Sequence, residues 1–384
     1  FTASVLSCEP GDGHTCRVIL DATAFFPEGG GQYADGGTLA GFRVTDVQEA
    51  DGVIVHTVDT AGADEGGLPF DVGRSVTGAV DADMRLLRMQ NHTAEHIISG
   101  IIHRRYGFSN VGFHLGNGDV TLDFDGLLTR EQLDEIEDEA NAAITACLPV
   151  RAYYPAPDEL SAMAYRAKLD LTENVRIVEI GHVHALIDRC ACCAPHVDNT
   201  GEIGMVKLLD FVHYKGGVRI HMLAGAWALA DYRRRYTETA SIAAAISVKQ
   251  VDVLEGFERK LSEIEEHRRT IAALRGKVQA LTVATIQPTA GSLCLFDEGL
   301  EAIEMRKLLN ALAPKCGRFC GVFAGNDEEG YRFVIGRGDD SLDLRTCTKD
   351  INTALAARGG GSAEMLQGSA RASRAVIEAY FADM

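Results

Sequence analysis

Four side chains of this chain have the types and the spacing of a zinc site. His92 and His96 lie four positions apart, and so do Cys192 and His196. Three imidazoles and one thiolate form a donor set that binds zinc tetrahedrally. Because the two pairs are about a hundred residues apart in the sequence, a shared ion would join two distant segments of the fold. The sequence therefore predicts one Zn²⁺ held by these four residues.

The spacing leaves the role of this zinc open. A closed shell of four protein ligands is usual for structural zinc, whereas catalytic zinc keeps a position for water or substrate. Glu95 lies beside His96 and is of the right type for a general base or for a group that orients a ligand. A solvated or salt-bridged Glu95 is the alternative. Cys190 and Cys193 are alternative thiolate ligands, but only Cys192 repeats the spacing of the histidine pair.

A second unusual segment is the run Phe-Phe-Pro-Glu-Gly-Gly-Gly-Gln at residues 25–32. Gly29, Gly30 and Gly31 make a poor helix or strand, and their lack of Cβ atoms lets a ligand or another backbone approach closely. The aromatic and proline neighbours anchor the loop, and Gln32 can then present its amide to a ligand. The alternative is an ordinary surface loop, the commoner fate of glycine-rich segments.

The spacing of apolar residues predicts the strands and helices that position these side chains. Residues 1–85 contain short alternating apolar stretches separated by Gly, Asp and Pro, which predicts a small β-barrel-like domain. From Asp83 the period becomes helical, and His92 and His96 are then i and i+4 neighbours whose rings project together. A further helix is predicted at about Thr129–Cys147, with Thr129 and Gln132 forming a capping box. Strands around it make residues 86–230 a mixed α+β core.

Residues 231–285 lack proline and read as a long helical region with a heptad pattern from Leu254. Arg268 and Arg275 fall on the seam, which favours a helical hairpin or a short homodimer contact over a long coiled coil. Residues 286–384 alternate strand and helix patterns and are predicted to form a small C-terminal α/β domain. Within it, the glycines at 359–361 fit neither a Rossmann nor a P-loop pattern, but before a helix they could meet a phosphate. The predicted fold class is α+β overall.

Composition limits the partners and the compartment. The formal net charge of −18 argues against loose binding to nucleic acid or to an anionic membrane, although a local basic patch suffices for specific RNA recognition. The sequence contains no apolar run of membrane-spanning length. Ten cysteines without a secretory signal predict reduced thiols and a cytoplasmic protein. The first residue is not Met, which suggests a trimmed start.

Three motifs, in order, resemble those of alanyl-tRNA synthetase editing domains and of the freestanding alanyl-tRNA editing hydrolases, the AlaX group. The glycine-rich run at residues 25–32 resembles their glycine-rich motif, and residues 91–96 resemble the first zinc half-site. Residues 192–197 resemble the second half-site. The helical region and the last domain, with residues 358–362, resemble more weakly the segment that follows editing in the synthetase. The chain is thus similar to the long AlaX form.

This resemblance implies an activity and assigns residues to it. The family hydrolyses Ser-tRNA(Ala), and often Gly-tRNA(Ala), so the implied partner is tRNA(Ala) carrying serine or glycine. By resemblance, residues 86–230 form the editing core and residues 286–384 a DHHA1-like domain. A freestanding trans-editor is expected, since the sequence before the barrel contains no aminoacylation domain. By resemblance, the zinc ligands are His92, His96, Cys192 and His196, Thr23 lies near the substrate's amino acid, and Gln32 belongs to the functional glycine-rich loop. Together with Glu95, which its place beside His96 suggests, Thr23 and Gln32 are the predicted catalytic residues, and Gly29, Gly30 and Gly31 are the predicted substrate-binding residues.

The chain departs from the family pattern at residues 192–196, at Tyr33, and at the triple glycine 359–361, which is shorter than the glycine runs of the synthetase. Where the family commonly has Cys-Gly-Gly-Thr-His, this chain has Cys-Cys-Ala-Pro-His at residues 192–196. Tyr33 stands where proline is common. The ligand spacing is unchanged, but the local substrate contacts differ.

Two other hypotheses remain open from the sequence. Residues 92–96 also fit the H-x-x-E-H pattern of a zinc metallopeptidase, with Glu95 as the base. That hypothesis leaves Cys192 and His196 without a role and requires a glutamate ligand downstream. The other hypothesis is a non-catalytic tRNA-binding module with a structural zinc.

Overall fold

The structure is a computed structural model that describes residues 1–61, 69–167 and 174–383. The chain divides into two compact units, Phe1–Ser241 and Ile242–Met384. The finer division into four domains stays a prediction. None of the described helices is long and apolar enough to cross a membrane.

The first unit begins with a closed barrel of six antiparallel strands in the order β1-β2-β5-β4-β3-β6. Alternate residues point inward, so that valines such as Val5, Val18 and Val58 fill the interior. The barrel predicted from the alternating pattern is confirmed. Its strands are β1 (Thr2–Pro10), β2 (Thr15–Leu20), β3 (Gly37–Leu39), β4 (Phe42–Ala50), β5 (Val53–Asp59) and β6 (Ser75–Val80).

The helix α1 (Ala82–Tyr106) follows the barrel directly and carries the histidine pair. The Asp81 carboxylate caps its first turn by accepting the Met84 N–H. Gly107 ends it in the left-handed conformation, with φ of 72°. Every residue of α1 from Asn91 to Ile102 is buried, and His92 and His96 belong to this stretch. The predicted helix is confirmed.

Two sheets complete the core around α1. One has the order β11-β10-β9 and the other β12-β13-β8-β7, and both are antiparallel. The capping box of Thr129 and Gln132 is present at the start of α2, as predicted. The remaining elements that begin in this unit are β7 (Asn110–Leu115), β8 (Val120–Phe124), α2 (Arg130–Thr145), β9 (Val150–Tyr153), α3 (Pro157–Ala162), β10 (Ile177–His182), β11 (Ala185–Ala191), β12 (Val206–Tyr214), β13 (Gly217–Ala224) and α4 (Gly225–Ala245).

The second unit contains one long helix and a five-stranded sheet of order β14-β15-β16-β18-β17. Only β14 and β15 are parallel, because the later strands are joined largely by short connections. The predicted α/β domain is therefore better described as α+β. Its elements are α5 (Val253–Thr285), β14 (Leu293–Phe296), α6 (Ala302–Leu312), β15 (Phe319–Asn326), β16 (Gly330–Arg337), α7 (Leu344–Ala354), β17 (Ala357–Gly361), β18 (Met365–Ala370) and α8 (Arg374–Ala382).

The expectation for the second triple glycine is wrong. Gly359, Gly360 and Gly361 belong to β17, an edge strand, and the next element is β18 rather than a helix. A Cβ on Gly361 would lie 2.0 Å from the Met365 carbonyl oxygen, so the close approach of the two strands requires glycine there. The predicted phosphate contact required a helix directly after these glycines, and a strand follows them instead.

The heptad positions of α5 leave apolar side chains in solvent. Leu254, Phe257, Leu261 and Ile271 are each at least half exposed on the described chain. A homodimer contact through this helix or through the C-terminal part stays a prediction.

Candidate metal centre

Side chains from two distant segments meet at the centre of the first unit. Ligand atoms of His92, His96, Cys192 and His196 all lie within 4.8 Å of one another. The Cys192 Sγ is 3.6 Å from the His92 Nε2 and 3.5 Å from the His196 Nε2. Helix α1 supplies the first two residues, and the loop after β11 supplies the other two. The structure thus brings together all four predicted ligands.

The spacing of these atoms fits a tetrahedral zinc ion. With Zn–S of about 2.3 Å and Zn–N of about 2.05 Å, tetrahedral angles place sulfur and nitrogen about 3.6 Å apart. The observed sulfur–nitrogen distances of 3.5 and 3.6 Å match that value. The donor set and the geometry together fit zinc.

Each imidazole of the cluster is oriented by a hydrogen bond on its other nitrogen. A metal-ligating histidine usually donates its second N–H to a nearby acceptor, which fixes the tautomer and aims the free nitrogen at the metal. Here every Nδ1 has such a partner, and every Nε2 is left for the centre. The Nδ1 acceptors are Gln32 Oε1 for His92 (2.9 Å), Asp188 Oδ2 for His96 (2.9 Å) and Thr93 Oγ1 for His196 (3.1 Å).

The electrostatics favour the protonation states that metal binding needs at Cys192 and at His196. Burial opposes ionisation of Cys192, but the neighbouring His92 and hydrogen bonds from His196 and His92 outweigh it and lower the pKa of the thiol well below its usual value. Burial lowers the pKa of His196 to about 4. A thiolate and a neutral imidazole are the forms that bind metal. Burial instead raises the pKa of Cys190 and of Cys193, which favours Cys192 as the thiolate ligand.

His96 differs from the other histidines because acidic groups surround it. Burial alone would lower its pKa, but Glu95, the Asp188 carboxylate and the nearby cysteines raise that pKa well above its usual value. Metal binding at His96 must therefore release a proton.

Asp188 is a site residue that the sequence analysis missed. Asp188 is 4% exposed, and its carboxylate accepts the His96 Nδ1–H and two hydrogen bonds from Arg166, at 2.7 and 2.8 Å. Burial would raise the pKa of Asp188, but the His96 hydrogen bond and the Arg166 charge lower it to about 2. An acidic residue within the apolar strand before the cysteine cluster was the only signal in the sequence.

Asp188→Asn is expected to lower the zinc affinity roughly 10- to 100-fold, because the carboxylate that orients His96 loses its charge. The affinity is measured by competition with a chromogenic chelator. Asp210→Asn is the matched control, since Asp210 contacts His221 at 2.7 Å in an exposed pair. Equal affinities in Asp188→Asn and in the wild type would show that Asp188 does not support the metal.

Glu95 is buried beside the cluster, with only 3% of its surface exposed. Its Oε1 accepts hydrogen bonds from the Ser99 hydroxyl and from the Asn110 amide, both at 2.7 Å. Its Oε2 lies 3.6 Å from the His96 Nε2, on the side of the metal centre. Glu95 is therefore not solvated, and of the two alternatives only the salt-bridged carboxylate, beside His96, stays open.

A cavity of about 230 Å³ opens onto the metal centre. Three of the four cluster residues line it, together with Glu95. A small molecule in the cavity would therefore contact both the ligand cluster and Glu95. The residues that line the cavity are Gly30, His92, Glu95, His96, Tyr154, Arg166, Ala167, Asn174, Arg176, Cys190, Ala191, Cys192 and Cys193.

The glycine-rich loop reaches the centre by packing on β7. A Cβ on Gly31, whose φ is 86°, would lie 2.3 Å from the Phe113 carbonyl oxygen, so this close approach requires glycine. The Leu115 N–H donates to the Gly31 oxygen at 2.7 Å. Gly29 exchanges backbone hydrogen bonds with Gln32, and Gly30 alone of the three lines the cavity.

Ion pairs fasten the end of this loop to α1. The Asp35 carboxylate is buried and accepts hydrogen bonds from Arg85, while Arg88 donates to the Ala34 carbonyl. These contacts hold Gln32 in place behind His92. The contact of Gln32 with substrate stays a prediction, and the contact that the structure contains is the one with His92.

Thr23 is not among the described residues that line the cavity. Its Oγ1 lies 2.8 Å from the Nε2 of His56 and accepts the Phe25 N–H at 3.1 Å. The Nδ1 of His56 donates to the Val18 carbonyl at 3.0 Å, so its Nε2 accepts the Thr23 hydroxyl proton. Burial lowers the pKa of His56 and keeps it neutral. His56 was not predicted from the sequence, in which only its inward position on β5 marks it.

Comparisons with known proteins show that this chain is similar to tRNA synthetases. The family of class II (A) tRNA synthetases matches residues 4–84, and the second additional domain of threonyl and alanyl tRNA synthetases matches residues 175–221. The alanine–tRNA ligase of Halorubrum lacusprofundi is 32% identical over 363 residues, which cover 90% of this chain and 37% of that protein. The enzyme of Chromohalobacter salexigens is 30% identical over 382 residues, 94% of this chain and 43% of that protein. The chain thus spans about two fifths of the length of these relatives.

Proposed function

We propose that this chain, which is a relative of the editing domains of alanine–tRNA ligases, is a hydrolase that deacylates mischarged tRNA(Ala). The observation that carries the proposal is the metal-ligand cluster that opens, beside Glu95, into a small cavity. An aminoacyl ester needs only an activated water and a polarised carbonyl to be hydrolysed.

The proposed substrate is Ser-tRNA(Ala), with Gly-tRNA(Ala) as a second. A cavity of about 230 Å³ has room for an amino-acid ester and not for a folded RNA, so the 3′ end would have to enter from outside. Thr23 does not line the cavity and its hydroxyl pairs with His56, so the predicted preference for serine through Thr23 would require the serine hydroxyl to reach the Thr23–His56 pair.

The cluster of His92, His96, Cys192 and His196 would hold the zinc. A bound zinc ion supplies Lewis-acid polarisation in the cavity. Since three of these residues line the cavity, the metal is proposed to serve the reaction as well as the fold. Gln32, Thr93 and Asp188 keep the imidazoles turned toward it.

The chain's own acid–base group in the proposed reaction is Glu95. Ser99 and Asn110 hold Oε1, and Oε2, on the side of the metal centre, is proposed to take a proton from the attacking water. The water oxygen bonds to the carbonyl carbon, the ester bond to the ribose oxygen breaks, and Glu95 returns the proton to that oxygen.

The partner proposed for the chain is tRNA(Ala), in the cytoplasm. A homodimer contact through the helical region or the C-terminal domain is proposed as well.

A deacylation assay tests the proposed function. Zinc-replete protein is expected to release serine from Ser-tRNA(Ala) and to spare Ala-tRNA(Ala), as measured by loss of acid-precipitable labelled amino acid. Absence of release from Ser-tRNA(Ala) would contradict the proposal. Cleavage of an unstructured peptide by the same preparation would favour the metallopeptidase hypothesis instead.

A further inference from the structure

Tyr154 lies at the mouth of the metal cavity with its ring in solvent. Its side chain is 67% exposed, yet it lines the same cavity as His92 and Glu95. Within the described residues, the Tyr154 ring has no hydrogen bond or ring contact. The adjacent Tyr153 is different, since its hydroxyl donates to Glu179 Oε1 at 3.3 Å. An aromatic face left open beside a reactive centre is suited to stack on a planar group.

The size of the cavity indicates which part of a substrate would reach this ring. Pockets that enclose drug-sized ligands run from about 300 to 1,000 Å³. The cavity of about 230 Å³ is smaller, so it can enclose an aminoacyl group but not the nucleoside attached to it. The nucleoside must then lie at the mouth, where the Tyr154 ring is.

A cation accompanies the ring. The Arg176 guanidinium lines the same cavity, and its Nη1 donates to the carbonyl oxygens of Cys192 and Ala194 at 2.9 and 2.8 Å. Among the described residues, no carboxylate pairs with Arg176, whereas Asp188 neutralises Arg166. An open ring beside an unneutralised guanidinium has the chemistry that binds a nucleobase and its phosphate.

We propose that Tyr154 is the stacking platform for the 3′-terminal nucleobase of the tRNA, with Arg176 as the phosphate contact. The inference rests on the proposed function, because it places the ester of that nucleotide in the cavity. Tyr154 is then a binding residue that positions the ester and takes no part in the bond changes.

The test compares Tyr154→Ala and Tyr154→Phe on a serylated RNA minihelix that ends in adenine and on one whose terminal nucleotide is abasic. Tyr154→Ala is expected to raise KM roughly 5- to 100-fold on the adenine substrate, the range measured for loss of one stacked base, with kcat and zinc content unchanged. Tyr154→Phe is expected to behave as the wild type, and the penalty is expected to vanish on the abasic substrate. Tyr232→Ala is the matched control, because Tyr232 on α4 is 63% exposed and does not line the cavity.

Three results would overturn the proposal: an unchanged KM in Tyr154→Ala, an equal loss in Tyr154→Phe, or a penalty that persists on the abasic substrate. Failure of the proposed function is distinguishable, because the wild type would then release serine from neither minihelix. In that case the Kd of the uncharged minihelix, measured by fluorescence anisotropy, decides the question. A Kd at least roughly fivefold weaker for Tyr154→Ala supports stacking, and an equal Kd overturns it.

Discussion

Cys192→Ala is expected to remove the bound zinc and the deacylation of Ser-tRNA(Ala) together. The Cys192 Sγ lies 3.5 and 3.6 Å from two imidazole nitrogens. The substitution therefore removes one of the four metal ligands. The pKa of this thiol is held well below its usual value, and the substitution therefore also removes the negative charge of the cluster. Loss of several kcal/mol of charge stabilisation corresponds to a fall in rate of about a thousandfold or more.

The measurements are the zinc content per chain and the rate of serine release. Cys193→Ala is the control, because Cys193 is the adjacent thiol and burial raises its pKa. That variant is expected to keep its zinc. If Cys192→Ala kept both zinc and activity, the predicted ligand set would be wrong. Peptide cleavage that survived in Cys192→Ala would instead favour the metallopeptidase hypothesis.

Glu95→Gln is expected to lower kcat roughly 10²- to 10⁴-fold while the zinc content stays at the wild-type level, the range typical for a general base. The glutamine amide oxygen can still accept hydrogen bonds from Ser99 and Asn110, so the fold around it is preserved. What is lost is the basic Oε2 on the side of the metal centre. Single-turnover deacylation separates this chemical effect from substrate binding.

Asp83→Asn, at an exposed acid on the same helix α1, provides the control for Glu95→Gln. That variant is expected to deacylate at the wild-type rate. An unchanged rate in Glu95→Gln would show that Glu95 takes no part in the reaction and only accepts hydrogen bonds from Ser99 and Asn110. Loss of zinc in Glu95→Gln would mean that the carboxylate supports the metal and not the water.

Local patterns in the sequence account for the parts of the fold that were predicted. The alternation of the barrel strands, the helical spacing of His92 and His96, and the capping box at Thr129 are set by neighbouring residues, and all appear in the structure. The ligand cluster was predictable because each half-site is a short motif with its ligands four positions apart, and Cys192, unlike Cys190 and Cys193, repeats that spacing.

The parts that were missed depend on contacts between distant segments. Asp188 orients His96 across 92 positions of sequence, and His56 holds Thr23 across 33. No repeating pattern of neighbouring residues in the sequence marks such a pair. The second triple glycine was misjudged for a related reason, since the strand β17 is set by its pairing with β18 and not by the poor strand propensity of glycine.

The most direct test of the central claim is a zinc titration of the chelated, metal-free protein, monitored by serine release from Ser-tRNA(Ala). The metal-free protein is expected to be inactive, and activity is expected to return in proportion to added Zn²⁺ and to level off at one equivalent per chain, because the described residues place one four-ligand cluster beside Glu95. Full activity in the metal-free protein, or no activity at one equivalent of zinc, would contradict the account.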